Sequence, residues 1–243
     1  MPNKQIRISA KNLGQLALDN CCKRCFWLKL KLNFKLPFQM FPGIFSSLGS
    51  YSKKITGCYF EKFKTFPPWF NAFGEFEEII PVPHWRKFYF IDKETKIKLS
   101  GVPDEILKKK NGSLTIIDYK TSKFTEAKNS LGLLYKAQLN SYAWIAEKLG
   151  LSPVGGLALI YYQPETDIIE ISEKELKKLV SSDKFKMLFS AHLIEVELEP
   201  EKVVKPLLRK VRELADMKKA PDGIEGCEDC EKLERLVGLV GGR

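Results

Sequence analysis

Two stretches decide how this chain is read: Ser100-Gly101-Val102-Pro103-Asp104-Glu105-Ile106 and Leu114-Thr115-Ile116-Ile117-Asp118-Tyr119-Lys120. Thirteen residues separate Asp104 from Asp118, with the polar turn Lys108-Lys109-Lys110-Asn111-Gly112 between them. A hairpin of that size sets the two carboxylates side by side. The apolar run from Leu114 to Ile117 predicts a strand buried on both sides until the acid appears. In that strand Asp118 and Lys120 are two apart, so the pleat turns both to one face.

The flanking pattern supplies a sheet and its helices. Glu77 to Val82, Phe88 to Ile91 and Lys96 to Leu107 read as strands, from alternation or β-branched content. A helix is expected from about Ser130 to Leu149, with Leu134, Gln138, Tyr142 and Ile145 at neighbouring surface positions and Gly150 ending it. Val154 to Tyr162 is apolar enough for a central strand, and Thr166 to Ile171 is expected to pair with it across a Gln163-Pro164-Glu165 turn. Ser172 caps a lysine-rich helix, Leu193 to Leu198 is a further strand, and Glu201 to Met217 the last long helix. Near the N-terminus Ser9 caps a short helix carrying Leu13, Leu16 and Ala17. Phe26 to Phe34 reads as a strand from its leucine–lysine alternation, or as a helix continuing from the cysteines before it. Ile44, Leu48, Tyr51, Ile55 and Tyr59 mark a second amphipathic helix, stopped by Pro67-Pro68. The class is α/β (α+β), a mixed central sheet flanked by helices.

With 243 residues, 44% apolar and 29% charged, the chain fits one generous globular domain. A single unit over 1–243 is expected, its core about 44–200, with terminal segments 1–36 and 201–243 added. No apolar run reaches the length of a membrane span, and Met1-Pro2-Asn3-Lys4-Gln5 does not open a signal peptide. A cytoplasmic protein without membrane contact is the expectation. The net charge of +10 is compatible with a polyanionic partner or with a plain solubility role.

The acid pair carries the chemistry. Two hard carboxylates hold Mg²⁺ or Mn²⁺ while leaving positions open for water and a phosphate oxygen. Asp104 and Asp118 are assigned to the metal, with the carbonyl of Tyr119 as third ligand. Lys120 beside them orients the attacking water or stabilises charge on phosphorus. The plain alternative is a turn-capping Asp104 and a surface Asp118–Lys120 ion pair.

Pro103-Asp104 followed by Asp118-Tyr119-Lys120 resembles the signature of the PD-(D/E)XK nuclease superfamily. The wording Gly101-Val102-Pro103-Asp104 and Asp118-Tyr119-Lys120-Thr121-Ser122 is similar to its RecB-like branch, which includes nuclease domains of recombination helicase–nucleases and CRISPR-associated exonucleases. Gln138 and Tyr142, four apart on one helix face, fit that branch's further motif. The resemblance implies a restriction-endonuclease-like fold and a Mg²⁺- or Mn²⁺-dependent DNA nuclease, an exonuclease or one preferring single strands or ends. It also implies contacts from Gln138 and Tyr142 to the active site or DNA, and a helicase or nuclease-complex partner in repair or CRISPR adaptation. One departure stands out: RecB-like members place a metal-binding histidine in the helix before the sheet, whereas this chain has only His84 and His192. Glu61 and Glu75 are candidate substitutes, and Lys53 or Lys54 a candidate phosphate-facing group. The departure motivates a second reading, a catalytically weak or inactive DNA-binding partner subunit.

Six cysteines occur, and Cys22-Lys23-Arg24-Cys25 and Cys227-Glu228-Asp229-Cys230 form two C-x₂-C pairs. Four thiolates suffice for a tetrahedral zinc site or for an iron–sulfur cluster, and the spacing would staple the two ends of the fold together. The resemblance implies a [4Fe–4S] cluster, although that pattern pairs one N-terminal cysteine with three C-terminal ones. Zn²⁺ and a metal-free cluster remain open, as does a redox-sensing role. Cys21 is an alternative to Cys22, and Cys58 is expected in the core. Phe26, Trp27, Lys29, Lys31, Phe34 and Lys35 offer either a nucleic-acid surface or core aromatics.

Overall fold

The computed structural model describes residues 5–35, 43–121, 132–165 and 172–241. Among them the strands are β1 (Arg7–Ser9), β2 (Phe76–Ile80), β3 (Tyr89–Ile91), β4 (Lys98–Ser100), β5 (Glu105–Lys109), β6 (Leu114–Lys120), β7 (Val154–Pro164) and β8 (Phe189–Val196). The helices are α1 (Ala10–Gly14), α2 (Lys23–Lys31), α3 (Gly43–Phe63), α4 (Gly132–Lys148), α5 (Glu173–Lys178), α6 (Pro200–Asp216) and α7 (Glu228–Val240). The main sheet runs β2-β5-β6-β7-β8, and a smaller one β1-β4-β3. Only β6–β7 is parallel in the main sheet. Parallel neighbours need a long crossover, and α4 lies within it.

Strand β6 is buried from Leu114 to Tyr119, and its pleat feeds two cores. Leu114 and Ile116 pack with Ala137, Leu139 and Ile145 of α4. Ile117 and Tyr119 face the other way, among Phe70, Phe73 and Phe76. Helix α4 is buried without interruption from Ala137 to Ala146, as expected of a helix covered on all sides. Helix α6 covers it with Val204, Leu207, Leu208, Val211 and Leu214, at helical spacing. Close approach of α1 needs Gly14, where a Cβ would stand 2.5 Å from the Leu134 carbonyl oxygen.

Ser9 and Ser172 cap α1 and α5 through the N–H groups of Asn12 and Glu175, as read from sequence. Other elements differ. The run from Lys96 to Leu107 is not one strand: it breaks after Ser100, and β4 and β5 belong to different sheets. Pro103 has no N–H for a ladder, and Gly101 has no side chain to pack. Most of Phe26 to Phe34 is not a strand but the latter part of helix α2, since Phe26 and Leu30, four apart, pack on the core. Arg7–Ser9 is a short parallel strand beside β4, and α7 follows Cys227; neither was anticipated. Gln163 and Pro164 are not a turn but continue β7, paired with Ser190 and Phe189 of β8. Both edges of β7 are thus taken, by β6 and β8. Thr166 to Ile171, Ser122 and the expected helix start at Ser130 lie outside the described residues. Among those residues no helix is long and apolar enough to cross a membrane.

Asn140 ties α4 to the β8–α6 connection. Fully buried, it donates to the carbonyls of Lys136 (2.8 Å) and Glu197 (2.9 Å) and accepts from the Glu199 N–H (2.7 Å). Asn140→Ala orphans groups on both sides and should cost about 2–4 kcal/mol in urea unfolding at pH 7. A loss below about 0.5 kcal/mol would show that the clamp contributes no net stability.

Candidate active site

Asp104 precedes β5 and donates its N–H to the Ile117 carbonyl (3.1 Å), which holds it against the end of β6. Its Oδ2 accepts from the Tyr119 N–H (2.7 Å), and its Oδ1 is paired with the Lys53 ammonium of α3 (2.8 Å). Asp118 is 4% exposed. Its Oδ1 accepts from Gln138 Nε2 of α4 (3.2 Å). Lys120 Nζ stands 2.5 Å from Asp118 Oδ2, an ion pair within hydrogen-bonding distance. That oxygen is buried, with the Lys120 ammonium as its partner.

Helix α4 fixes the remaining members. The Gln138 amide also donates to Tyr142 Oη (2.7 Å) and accepts from Lys120 Nζ (3.4 Å). Lys120 Nζ lies 4.4 Å from the Tyr135 ring centroid, in cation–π reach. Tyr142 presses on Gly101, where a Cβ would come within 2.5 Å of its ring. Asp104, Asp118, Lys120, Gln138 and Tyr142 are thus brought to one end of the sheet, and the Asp118–Lys120 pair is not a surface pair. Tyr119 contributes its N–H here, while its side chain turns to the opposite face.

Behind the site lies a second network that the sequence did not signal. The Tyr119 hydroxyl donates to Glu105 Oε2 (2.6 Å) and so accepts from Thr56 of α3 (2.6 Å). Burial pushes the Glu105 carboxyl up to about 7; the Tyr119 hydrogen bond opposes this and Asp104 adds to it. Burial likewise lifts Asp118 to about 6, with Lys120 pulling it down and Asp104 pushing it up. Two carboxylates, Asp104 and Asp118, face two ammonium groups, Lys53 and Lys120.

Other candidates stand elsewhere. Glu75 pairs with Lys110 beyond the far end of β5, and Glu61 is exposed two turns along α3 from Lys53. Neither replaces a histidine in the site. Lys54 is exposed, with Lys53 the one that reaches Asp104. His84 is exposed and accepts from the Arg86 N–H. His192 lies opposite Tyr161, itself opposite Lys120, about 10 Å away across two strand spacings. Tyr135 was missed, although it stands one turn before Gln138. In the basic aromatic stretch Phe26 is core and packs edge-on to Phe34, and Trp27 and Lys31 bond the carbonyls of Met217 and Ala215 at the end of α6.

The two C-x₂-C pairs converge. Cys22 and Cys227 are the N-caps of α2 and α7. The Sγ atoms of Cys22, Cys25, Cys227 and Cys230 all lie within 4.8 Å of one another. Burial opposes ionisation of Cys22, but hydrogen bonds from the Cys25 and Ile224 backbone and from neighbouring thiols outweigh it and bring the group down to about 6. Cys21 is outside this group, and Cys58 is exposed, not core, because it falls on the solvent side of α3.

A family model described as PD-(D/E)XK nuclease superfamily matches residues 59–234. A solved structure titled "Crystal structure of SSO0001" is similar over 91% of this chain and 82% of its own, at 14% identity and a TM-score of 0.42. No curated protein matches the chain.

Glu105 gives this site a pH signature. Its folded-state carboxyl is raised, so the folded protein holds a proton that the unfolded chain releases near pH 4.5. Stability therefore falls as pH rises from about 4.5 to about 7. Glu105→Gln keeps an acceptor for Tyr119 and should exceed wild type by up to about 3 kcal/mol at pH 8, with little difference at pH 4. Denaturation curves in EDTA measure this. Parallel pH profiles for the two proteins would contradict it.

Proposed function

The chain belongs to the PD-(D/E)XK nuclease superfamily, whose members are in general phosphodiester-hydrolysing nucleases. On that premise we propose that it is a Mg²⁺- or Mn²⁺-dependent deoxyribonuclease acting through Asp104, Asp118 and Lys120. The observation that carries this reading is the meeting of Asp104, Asp118 and Lys120 at one end of the sheet, with Asp118 buried and its Oδ2 against the Lys120 ammonium. Asp104 beside Asp118 raises the cost of ionising the buried carboxylate, and a hard divalent cation shared between the two offsets it. The donors fit: two carboxylates, and the Tyr119 carbonyl as third ligand. The Tyr119 N–H points at Asp104, and a strand residue sends its N–H and C=O toward the same neighbour.

A bound ion supplies Lewis-acid activation of water and neutralises charge on the phosphate. The protein supplies positioning. Gln138 holds both Asp118 and Lys120, so the Lys120 ammonium is fixed where it can orient water or a phosphate oxygen. Lys53, 45% exposed at its side chain, can leave Asp104 for a phosphate. Net charge +10 favours a polyanion. The finer reading is a RecB-like exonuclease, or one preferring single strands or ends, working with a helicase or nuclease complex. Its support is the Gly101-Val102-Pro103-Asp104 wording together with Gln138 and Tyr142. The four cysteines form a metal centre, [4Fe–4S] by that resemblance or Zn²⁺ by ligand chemistry.

One observation favours a second reading. Each carboxylate already has its own ammonium group, so the site is balanced without a metal, as in a silent DNA-binding subunit. Labelled single- and double-stranded DNA, with free or blocked ends and with Mg²⁺, Mn²⁺ or EDTA, separates the two. Wild type should cleave only with metal, and Asp118→Ala and Lys120→Met should each lose about a hundredfold or more. Equal cleavage by wild type and Asp118→Ala, independent of metal, would sink the nuclease reading. DNA binding without cleavage in any metal would select the silent subunit.

A further inference from the structure

We propose that Cys22, Cys25, Cys227 and Cys230 hold one tetrahedral Zn²⁺ ion that clamps α7 to α2, and that the site does not fit a [4Fe–4S] cluster. The inference deepens the metal-centre reading of the cysteines and is independent of the nuclease reading. Spacing decides it. Cys22 and Cys230 sulfurs are 3.6 Å apart, Cys25 and Cys227 3.6 Å, and Cys25 and Cys230 3.4 Å. Four thiolates about 2.3 Å from one zinc ion form a tetrahedron with an edge of about 3.8 Å. A cubane cluster bonds each thiolate to a different iron at a different corner, which drives the sulfurs well apart. Sulfurs that all lie within 4.8 Å enclose a single ion and leave no room for eight atoms.

The surroundings suit a closed structural site. All four ligands come from protein, so no position is left open for substrate. Cys22 and Cys230 are each 7% exposed. Gly223 packs so close that a Cβ there would stand 3.1 Å from Cys230 Sγ. Both pairs start a helix, so the positive ends of α2 and α7 face the thiolates.

The ion also has a mechanical task. Cys230 is the only buried residue of α7, while Leu236, Val237, Leu239 and Val240 are exposed. Apolar burial therefore does not dock this helix. The Arg24–Glu234 pair (2.5 Å) joins it to α2 at the surface, where water screens an ion pair and leaves it weak. The thiolate–zinc bonds hold what packing does not.

The test is metal analysis, acid-labile sulfide assay and metal-edge X-ray absorption on the full chain, purified without oxygen from cells supplied with both iron and zinc. One zinc per chain is expected, with no sulfide, no broad visible absorption, and a single sulfur shell at about 2.3 Å without a metal–metal distance. Iron with labile sulfide would overturn the proposal while leaving the metal-centre reading in place, and metal-free protein would overturn both. Neither result bears on cleavage at Asp104 and Asp118. Cys230→Ser should lose the zinc and expose the chain between Met217 and Cys227 to protease, whereas Cys58→Ser should keep both zinc and protection. Should Cys230→Ser retain one zinc per chain, the proposal fails. Should it not fold, the wild-type spectrum and metal count decide alone.

Discussion

A carboxylate buried in the middle of a sheet is the constraint on which this structure turns. Asp118 sits on β6 after four buried residues, with α4 on its face and β5 and β7 at its edges. An ionised group there is tolerated only if every neighbour is arranged around it. Lys120 gives opposite charge from the same strand, and Gln138 gives a hydrogen bond from α4. The other oxygen has the Lys120 ammonium alone. A packed interior has been shaped around this one charged group and its two partners.

The break between β4 and β5 serves the same end. Had the chain run straight from Lys96 to Leu107, Asp104 would lie within a ladder. Because Pro103 cannot donate, β5 begins at Glu105, and Asp104 falls at its tip against Tyr119. The reverse face of β6 then secures α3. Thr56, Tyr119 and Glu105 form a buried chain of hydrogen bonds, and one turn before Thr56 the same helix extends Lys53 to Asp104. Each side of β6 thus contributes a cation: Lys120 along the strand, Lys53 from the helix beyond.

Much of this was legible because it is local. A two-residue period puts Asp118 and Lys120 on one face, and a four-residue spacing puts Gln138 beside Tyr142; both contacts exist. The spacing of the C-x₂-C pairs likewise foretold that both ends of the chain meet. What was not legible depends on partners distant in sequence. Nothing in Arg7–Ser9 says that β4 lies beside it. The leucine–lysine alternation after Cys25 reads equally as strand until the core receives Phe26 and Leu30 on one helical side. Glu105 drew no reading next to Asp104, because its hydrogen-bond partner, Tyr119, comes from β6 and is itself bonded by Thr56 of α3. Cys58 looked like a core thiol until α3 turned it to solvent.

The central claim is that Asp104 and Asp118 share a divalent cation, and direct binding tests it before any substrate is added. Electron paramagnetic resonance of Mn²⁺ titrated into the DNA-free chain, with and without Asp104→Asn or Asp118→Asn, counts bound ions at that site. We expect saturable Mn²⁺ binding in wild type, displaced by Mg²⁺ and lost in either variant. Binding that survives both substitutions unchanged, or no binding in wild type, would contradict the claim.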